Sequence, residues 1–234
     1  MDQEETQPQI VSRGEVVEFA AEYIRNGIVT GQFAPGQRMI SSELIEDIGI
    51  SRGSLREAFS RLATEGLIDL VPNRGALVKR MTKKELINLF RIREVLEGLA
   101  ARQAAEAILQ GNNLKEYSDI LEWTASNRQP LSSKVFTEKN SLFHSSLVAI
   151  ADNKQLADLL NRLQIRVLMF MFGRALQPND IEHSMHEHIP IAEAILLKNP
   201  DAAEAAMRKH LRGSCDRILQ VSGTLLKRER TSRA

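Results

Sequence analysis

The sequence predicts a mostly α-helical protein in two parts: an N-terminal winged helix-turn-helix, then an all-α antiparallel helical bundle. Three observations carry that prediction. From Pro35 to Val78, two short apolar helical patterns meet at a glycine turn and are followed at once by hairpin chemistry. Beyond Val78 the β-rich runs stop. From there one helical pattern follows another, separated only by short Gly, Asn and Pro breaks, as an antiparallel bundle requires.

Bulk properties bound the function. With 234 residues and a hydrophobic fraction of 43%, the chain is long enough for one or two globular domains with real cores. The net charge of +1 gives no overall basic excess, yet between Ile50 and Arg80 the cations Arg52, Arg56, Arg61, Arg74, Lys79 and Arg80 face only Glu57, Glu65 and Asp69. Positive charge is therefore concentrated where a duplex would lie. The lone Cys215 excludes an internal disulfide, fits a reducing cytoplasm and reads as a buried structural thiol. No basic start precedes an early apolar run and no run is long enough to span a bilayer, so a cytoplasmic protein without a membrane partner is expected.

Taken in order, residues 1–11 are polar and aperiodic and read as a flexible arm. Ser12-Arg13-Gly14-Glu15 has capping-box spacing, and Val16, Ala20, Tyr23/Ile24 and Ile28 follow on one helical face that should pack behind the later helices. Leu44, Ile45 and Ile48 are the inward side of a short helix that Gly49 closes. Ser51 then stands where an N-cap oxygen accepts the free N–H groups of the next helix. In that helix Leu55, Ala58, Phe59 and Leu62 form the buried stripe, which leaves Arg52, Gly53, Ser54 and Arg56 on the opposite face of the first turns. A recognition helix presents such N-terminal residues to base edges and phosphates. Leu67 to Val71 and Ala76 to Lys79 are the arms of a hairpin whose turn, Pro72-Asn73-Arg74-Gly75, offers one cation and a bare backbone to a groove. The bland alternative is that this unit is only a packing module.

These residues resemble the DNA-binding domain of the GntR family of bacterial transcription regulators. The resemblance rests on Pro35-Gly36, Ser42-Glu43-Leu44, Gly49-Ile50-Ser51-Arg52, Leu55-Arg56-Glu57-Ala58-Phe59, Leu62, Glu65-Gly66-Leu67 and Asn73-Arg74-Gly75. It implies that Arg52, Ser54, Arg56 and Gly75 occupy DNA-touching positions and that Ser51 caps the helix. Gly53 stands where relatives usually have Thr, and Ser42 where some carry a base-reading arginine; both departures bear on which operator is read.

Residues 80–84 are a charged linker, so the domain expectation is 12–79 for the winged unit and 85–228 for an effector-binding and dimerisation bundle. Thr82 with Glu85 repeats capping-box form, and Leu86, Leu89, Ile92/Arg93, Leu96 and Leu99/Ala100 line one side of a helix running to about Leu109. Further helices are expected from about Leu114 to Asn127, Ser133 to Ile150, Lys154 to Phe172, Pro178 to Lys198 and Asp201 to Leu226. The basic tail from Lys227 to Arg233 reads as a frayed end.

The bundle carries a second constellation. Asn140 and His144 are one turn apart on one helix, while His188 and His210 lie on the last two. If those helices share a core, three imidazoles and an amide oxygen can converge on a metal and leave positions open for a ligand. Any one of these histidines alone would be read as an ordinary side chain, as His183 and His186 are. The bundle resembles the FCD effector domain of the FadR subfamily of GntR regulators, on Arg93 with Glu97, Phe143-His144, Glu187-His188 with Ile191 and Ala194, and Ala206-Met207 with His210-Leu211. That resemblance implies a divalent metal of the zinc, nickel or manganese class, held by His144, His188 and His210, that helps bind a small carboxylic acid. Asn140 occupies the family's Asp position and removes one negative charge. Arg93, Arg102 and Arg166 are the candidate cations for the acid, since guanidinium forks suit carboxylates; ion pairs with Glu97 or Glu106 explain Arg93 and Arg102 as well.

The expected function is a homodimeric repressor on an inverted-repeat operator in double-stranded DNA, controlled by that acid. Two competing readings are a hydrolase using metal-activated water and a DNA-binding protein with a purely structural metal.

Overall fold

The computed structural model of the chain describes residues 12–72, 75–125, 133–171 and 178–231, with backbone alone for 123–125, 133–134, 164–171 and 221–231. The chain divides into two compact units, the first comprising the residues up to Arg80 together with 168–172 and the second comprising 81–167 and 173–234.

The first unit starts with α1 (Arg13–Thr30). Ser12 caps it: its Oγ accepts from the Glu15 N–H, and the Glu15 carboxylate accepts from the Ser12 N–H. The buried face is Val17, Ala20, Ala21, Ile24, Gly27 and Ile28; Val17 replaces the expected Val16, which is half-exposed. Then come β1 (Arg38–Met39), α2 (Ser41–Ile48), α3 (Arg52–Thr64), β2 (Ile68–Val71) and β3 (Gly75–Val78). The three strands form an antiparallel sheet in the order β1-β3-β2, with Ile68 opposite Val78 and Met39 opposite Ala76. The inward residues Met39, Ile68, Ala76 and Val78 are the apolar ones, which fixes the register. Gly75 takes φ +83°, and a Cβ there would lie 2.8 Å from the Met39 carbonyl oxygen, so only glycine admits the close approach of β1.

Between α2 and α3, Gly49 adopts φ +73° and its N–H donates to the Ile45 carbonyl, ending α2. Leu55, Ala58, Phe59 and Leu62 of α3 are buried, mainly against α1, as the spacing predicts. Each of the larger side chains contributes about 1.5–3 kcal/mol by leaving water.

Beyond Arg80 the elements are α4 (Lys83–Ala107), α5 (Asn113–Ala125), α6 (Ser133–Ile150), α7 (Lys154–Met171), α8 (Pro178–Leu196) and α9 (Pro200–Thr231). Thr82 and Glu85 form the expected capping box on α4. Of the expected pairs Ile92/Arg93 and Leu99/Ala100 it is Arg93 and Ala100 that are buried, Ile92 and Leu99 being 51% and 37% exposed, while Phe90, Glu97 and Gly98 also turn inward. The reason is α9, which runs against α4 along much of its length. It selects the face bearing Gly98, where a Cβ would come within 3.0 Å of the Arg208 side chain. Cys215 is buried, and burial followed by the Asp216 charge pushes its thiol up from the usual range. Among the described residues no helix is long and apolar enough to cross a membrane.

Candidate functional site

At the start of α3, Ser51 Oγ accepts the Ser54 N–H at 3.1 Å, so the predicted cap is present. Arg52, Gly53 and Arg56 are exposed on the outer side. Ser54 is a correction: it is buried, 7% exposed, with its Oγ 3.0 Å from Ser51 Oγ. One helical position turns it behind the cap instead of towards the face that carries the arginines. The local cations also separate into two groups. Arg61 pairs with Glu18 and Glu57, and Lys79 with Asp69, whereas Arg52 and Arg56 form no ion pair among the described residues. Two uncompensated guanidiniums at a helix N-terminus form an anion-attracting surface. A Cβ placed on Gly53 would make ordinary contact with Ser51 Oγ at 3.7 Å and meet no clash. Arg74, at the wing tip, lies outside the described residues.

In the second unit α6, α8 and α9 bring His144, His188 and His210 together. All three are buried, and each offers a ligand nitrogen within 4.8 Å of the other two. Their ring centroids stand 4.7–5.3 Å apart. Burial, then the neighbouring cationic forms of the other imidazoles, holds His188 well below its ordinary range. Burial also lowers His210, against the opposing pull of Glu187. Neutral imidazoles are the form that ligates metals. His188 Nε2 is buried without a hydrogen-bond partner among the described residues, an expensive state unless something accepts its lone pair. This donor set fits a borderline divalent ion. Asn140 is half-buried one turn before His144 on α6. His183 and His186 are exposed, the first bonded to the Asn179 carbonyl and the second beside Glu182, away from the cluster.

Two carboxylates surround the imidazoles. Glu187 Oε2 accepts from His210 Nδ1 at 2.9 Å, and Arg217 grips both oxygens of Glu187 at 2.9 and 2.6 Å. Glu97 Oε2 stands 2.6 Å from His144 Nδ1, out of line for a good hydrogen bond, while Arg93 Nε donates to Glu97 Oε1 at 2.7 Å. Burial alone would raise the Glu97 carboxyl, but Arg93 and then His144 hold it at about 2. Glu187 is likewise opposed by burial and kept at about 2 by His210 and Arg217. The Arg93–Glu97 spacing was readable as a helical pair, but the reach of Glu97 to His144, and of Glu187 to His210 and Arg217, was not. Those contacts join different helices.

Of the candidate effector cations, Arg93 is buried above the Phe90 ring and reaches His144 through Glu97. For Arg102 the structure favours the ion-pair alternative. Its Nη1 donates to Asp201 at 2.6 Å and Glu204 at 3.1 Å, and its Nε lies 3.4 Å from Glu106, so three carboxylates already neutralise it and tie α4 to α9. The Arg166 side chain lies outside the described residues.

A model of the FCD domain matches residues 88–213, more than half of the chain, and one of the bacterial regulatory proteins of the gntR family matches residues 16–78. The chain belongs to the GntR family. It is a DNA-binding transcription regulator with an FCD domain, not an enzyme. Among its relatives, the HTH-type transcriptional repressor RspR of Escherichia coli K12 is 30% identical over 202 residues, covering 85% of this chain and 86% of that one. A probable D-xylose utilization operon transcriptional repressor of Paenarthrobacter nicotinovorans is 28% identical over 207 residues, 86% of this chain and 88% of the other. The solved structure of E. coli McbR/YncC superposes with a TM-score of 0.73 at 20% identity, over 90% of this chain and 99% of that one, a likeness of fold. In this GntR regulator, the matched gntR segment contains α3 with Arg52 and Arg56, and the matched FCD segment contains all three clustered histidines.

Proposed function

We propose that this regulator is a cytoplasmic repressor whose grip on an inverted-repeat operator is loosened by a small carboxylic acid bound beside a divalent metal. In this reading residues 12–79 read DNA, residues 80–84 link, and residues 85–228 bind the effector and pair two protomers. The observation that carries it is the buried meeting of His144, His188 and His210, with His188 Nε2 left without a partner. Such a site is costly in a protein interior unless it has a ligand to hold. His144, His188 and His210 would hold the ion, with Asn140 one turn away as a neutral fourth donor. A bound divalent ion would supply a Lewis-acidic grip on the effector's carboxylate. Arg93, paired with Glu97 beside His144, is the guanidinium nearest the site that an acid's carboxylate could engage. DNA contact falls to Arg52 and Arg56, with Ser51 shaping the helix start, Gly53 and Gly75 allowing close backbone approach and Arg74 supplying a cation; Ser54 acts from behind the cap.

Binding that favours one arrangement of the two recognition helices must weaken the ligand that favours the other, so acid and operator oppose each other. The test pairs elemental analysis with DNA footprinting. The purified regulator should carry about one divalent ion per chain, and a His144/His188/His210 triple alanine variant should carry none. A subset of small carboxylic acids should release the operator from the first protein only. Equal metal content in both proteins would refute the centre, and release by no acid would leave a structural ion only and refute the sensor.

A further inference from the structure

The three imidazoles are held in two distinct ways. His188 stacks on Phe143, with centroids 4.1 Å apart and planes 11° from parallel. His210 and His144 instead each face a carboxylate through Nδ1, at 2.9 and 2.6 Å. An ionised carboxylate only accepts, so His210 Nδ1 must carry the proton in its bond to Glu187. Two lone pairs cannot face each other at 2.6 Å, so His144 Nδ1 also carries a proton on the side of Glu97, with its N–H out of line with the carboxylate oxygen. In both rings the lone pair is thereby left on Nε2. The carboxylates are fixed in turn: Arg217 binds Glu187 through two parallel bonds, and Arg93 holds Glu97 within the core.

The backbone makes room for one of these arrangements. Gly213 lies one turn beyond His210 on α9, and a Cβ there would fall 2.8 Å from Glu187 Oε1 and 3.1 Å from Arg217 Nη1. Even an alanine would push against the carboxylate that orients the histidine.

The geometry points to Glu97 and Glu187 as positioning residues of the metal centre: each locks one imidazole as its Nδ1–H tautomer and turns its Nε2 towards the shared centre, with Gly213 keeping the space that Glu187 needs. This rests on the metal reading above and adds the residues that prepare the ligands before any ion arrives. Outer-layer carboxylates of this kind, when lost, typically reduce metal affinity by roughly 10- to 100-fold.

The test uses full-length protein in two states. In the chelator-treated, metal-free protein, two-dimensional 15N spectra of the histidine rings, assigned with His144→Gln and His210→Gln, should show both rings as Nδ1–H tautomers. Glu187→Ala should return His210 to the Nε2–H form. Glu187→Gln, which keeps an acceptor oxygen, should restore the tautomer. Titration with Co2+, followed by its visible absorption, should give dissociation constants at least tenfold weaker for Glu97→Ala, Glu187→Ala and Gly213→Ala, with helical content unchanged and Glu187→Gln close to wild type. Wild-type rings already in the Nε2–H form, or alanine variants that bind Co2+ as wild type does, would overturn the positioning role. Wild-type protein that takes up no Co2+ would overturn the metal reading itself, whichever tautomers the spectra show.

Discussion

At the scale of single residues, charge compensation decides which arginines are available for DNA. Arg52 and Arg56 form no ion pair among the described residues, so removing either takes nothing from the fold. Each alanine variant should keep its thermal midpoint, a change within about 0.5 kcal/mol, while operator affinity falls at least tenfold and the salt dependence flattens by about one unit per recognition helix. Retained footprinting by both variants would remove α3 from the DNA. Gly53 offers the reverse test. A Cβ there meets no clash and the residue lies in a helix, so Gly53→Ala should stabilise the protein by about 0.5–1 kcal/mol in urea unfolding. A simultaneous loss of operator binding would identify close backbone approach as the reason for glycine there.

At the scale of the element, α3 depends on its cap. Ser51→Ala should cost about 1 kcal/mol and weaken DNA binding by fraying the turn that carries Arg52 and Arg56. Ser51→Asp separates the two roles. An aspartate caps as well and favours the helix dipole, so stability should recover, whereas its charge beside phosphate should keep operator binding weak. Recovery of both in a gel-shift and melting comparison would place the α3 N-terminus away from the phosphates.

For the whole molecule, the histidine cluster links stability to pH and metal. The lowered folded-state values of His188 and His210 mean that the unfolded chain takes up those protons first. Metal-free protein should therefore lose stability as pH falls through the ordinary imidazole value of 6.5. Glu97 and Glu187 act lower: their contribution is complete above 4.5 and is lost as pH falls towards about 2. Urea midpoints measured between about pH 8 and 5 should decline for the metal-free wild type and flatten in His188→Phe. Added Zn2+ at 100 times its dissociation constant should stabilise the folded state by about 2.7 kcal/mol, and chelator should reverse it. An unchanged melting temperature would mean that the cluster binds no ion.

The sequence alone determined the local structure: the caps at Ser12, Ser51 and Thr82, the turn at Gly49, the buried stripe of α3 and the order of helices in the bundle. These follow from hydrogen bonds and spacings within a few residues, so they are written where they act. It also named the three histidines, because their types and helices could be read in order. Only the tertiary structure decided which faces meet. It turned Ser54 inward and Ile92 and Leu99 outward, committed Arg102 to Asp201 and Glu204, and set Glu187 against both His210 and Arg217. Each of those outcomes depends on the packing of one surface against another, above all of α9 on α4 and α8, and the small rotation that selects a helix face leaves no trace in a three- or four-residue period.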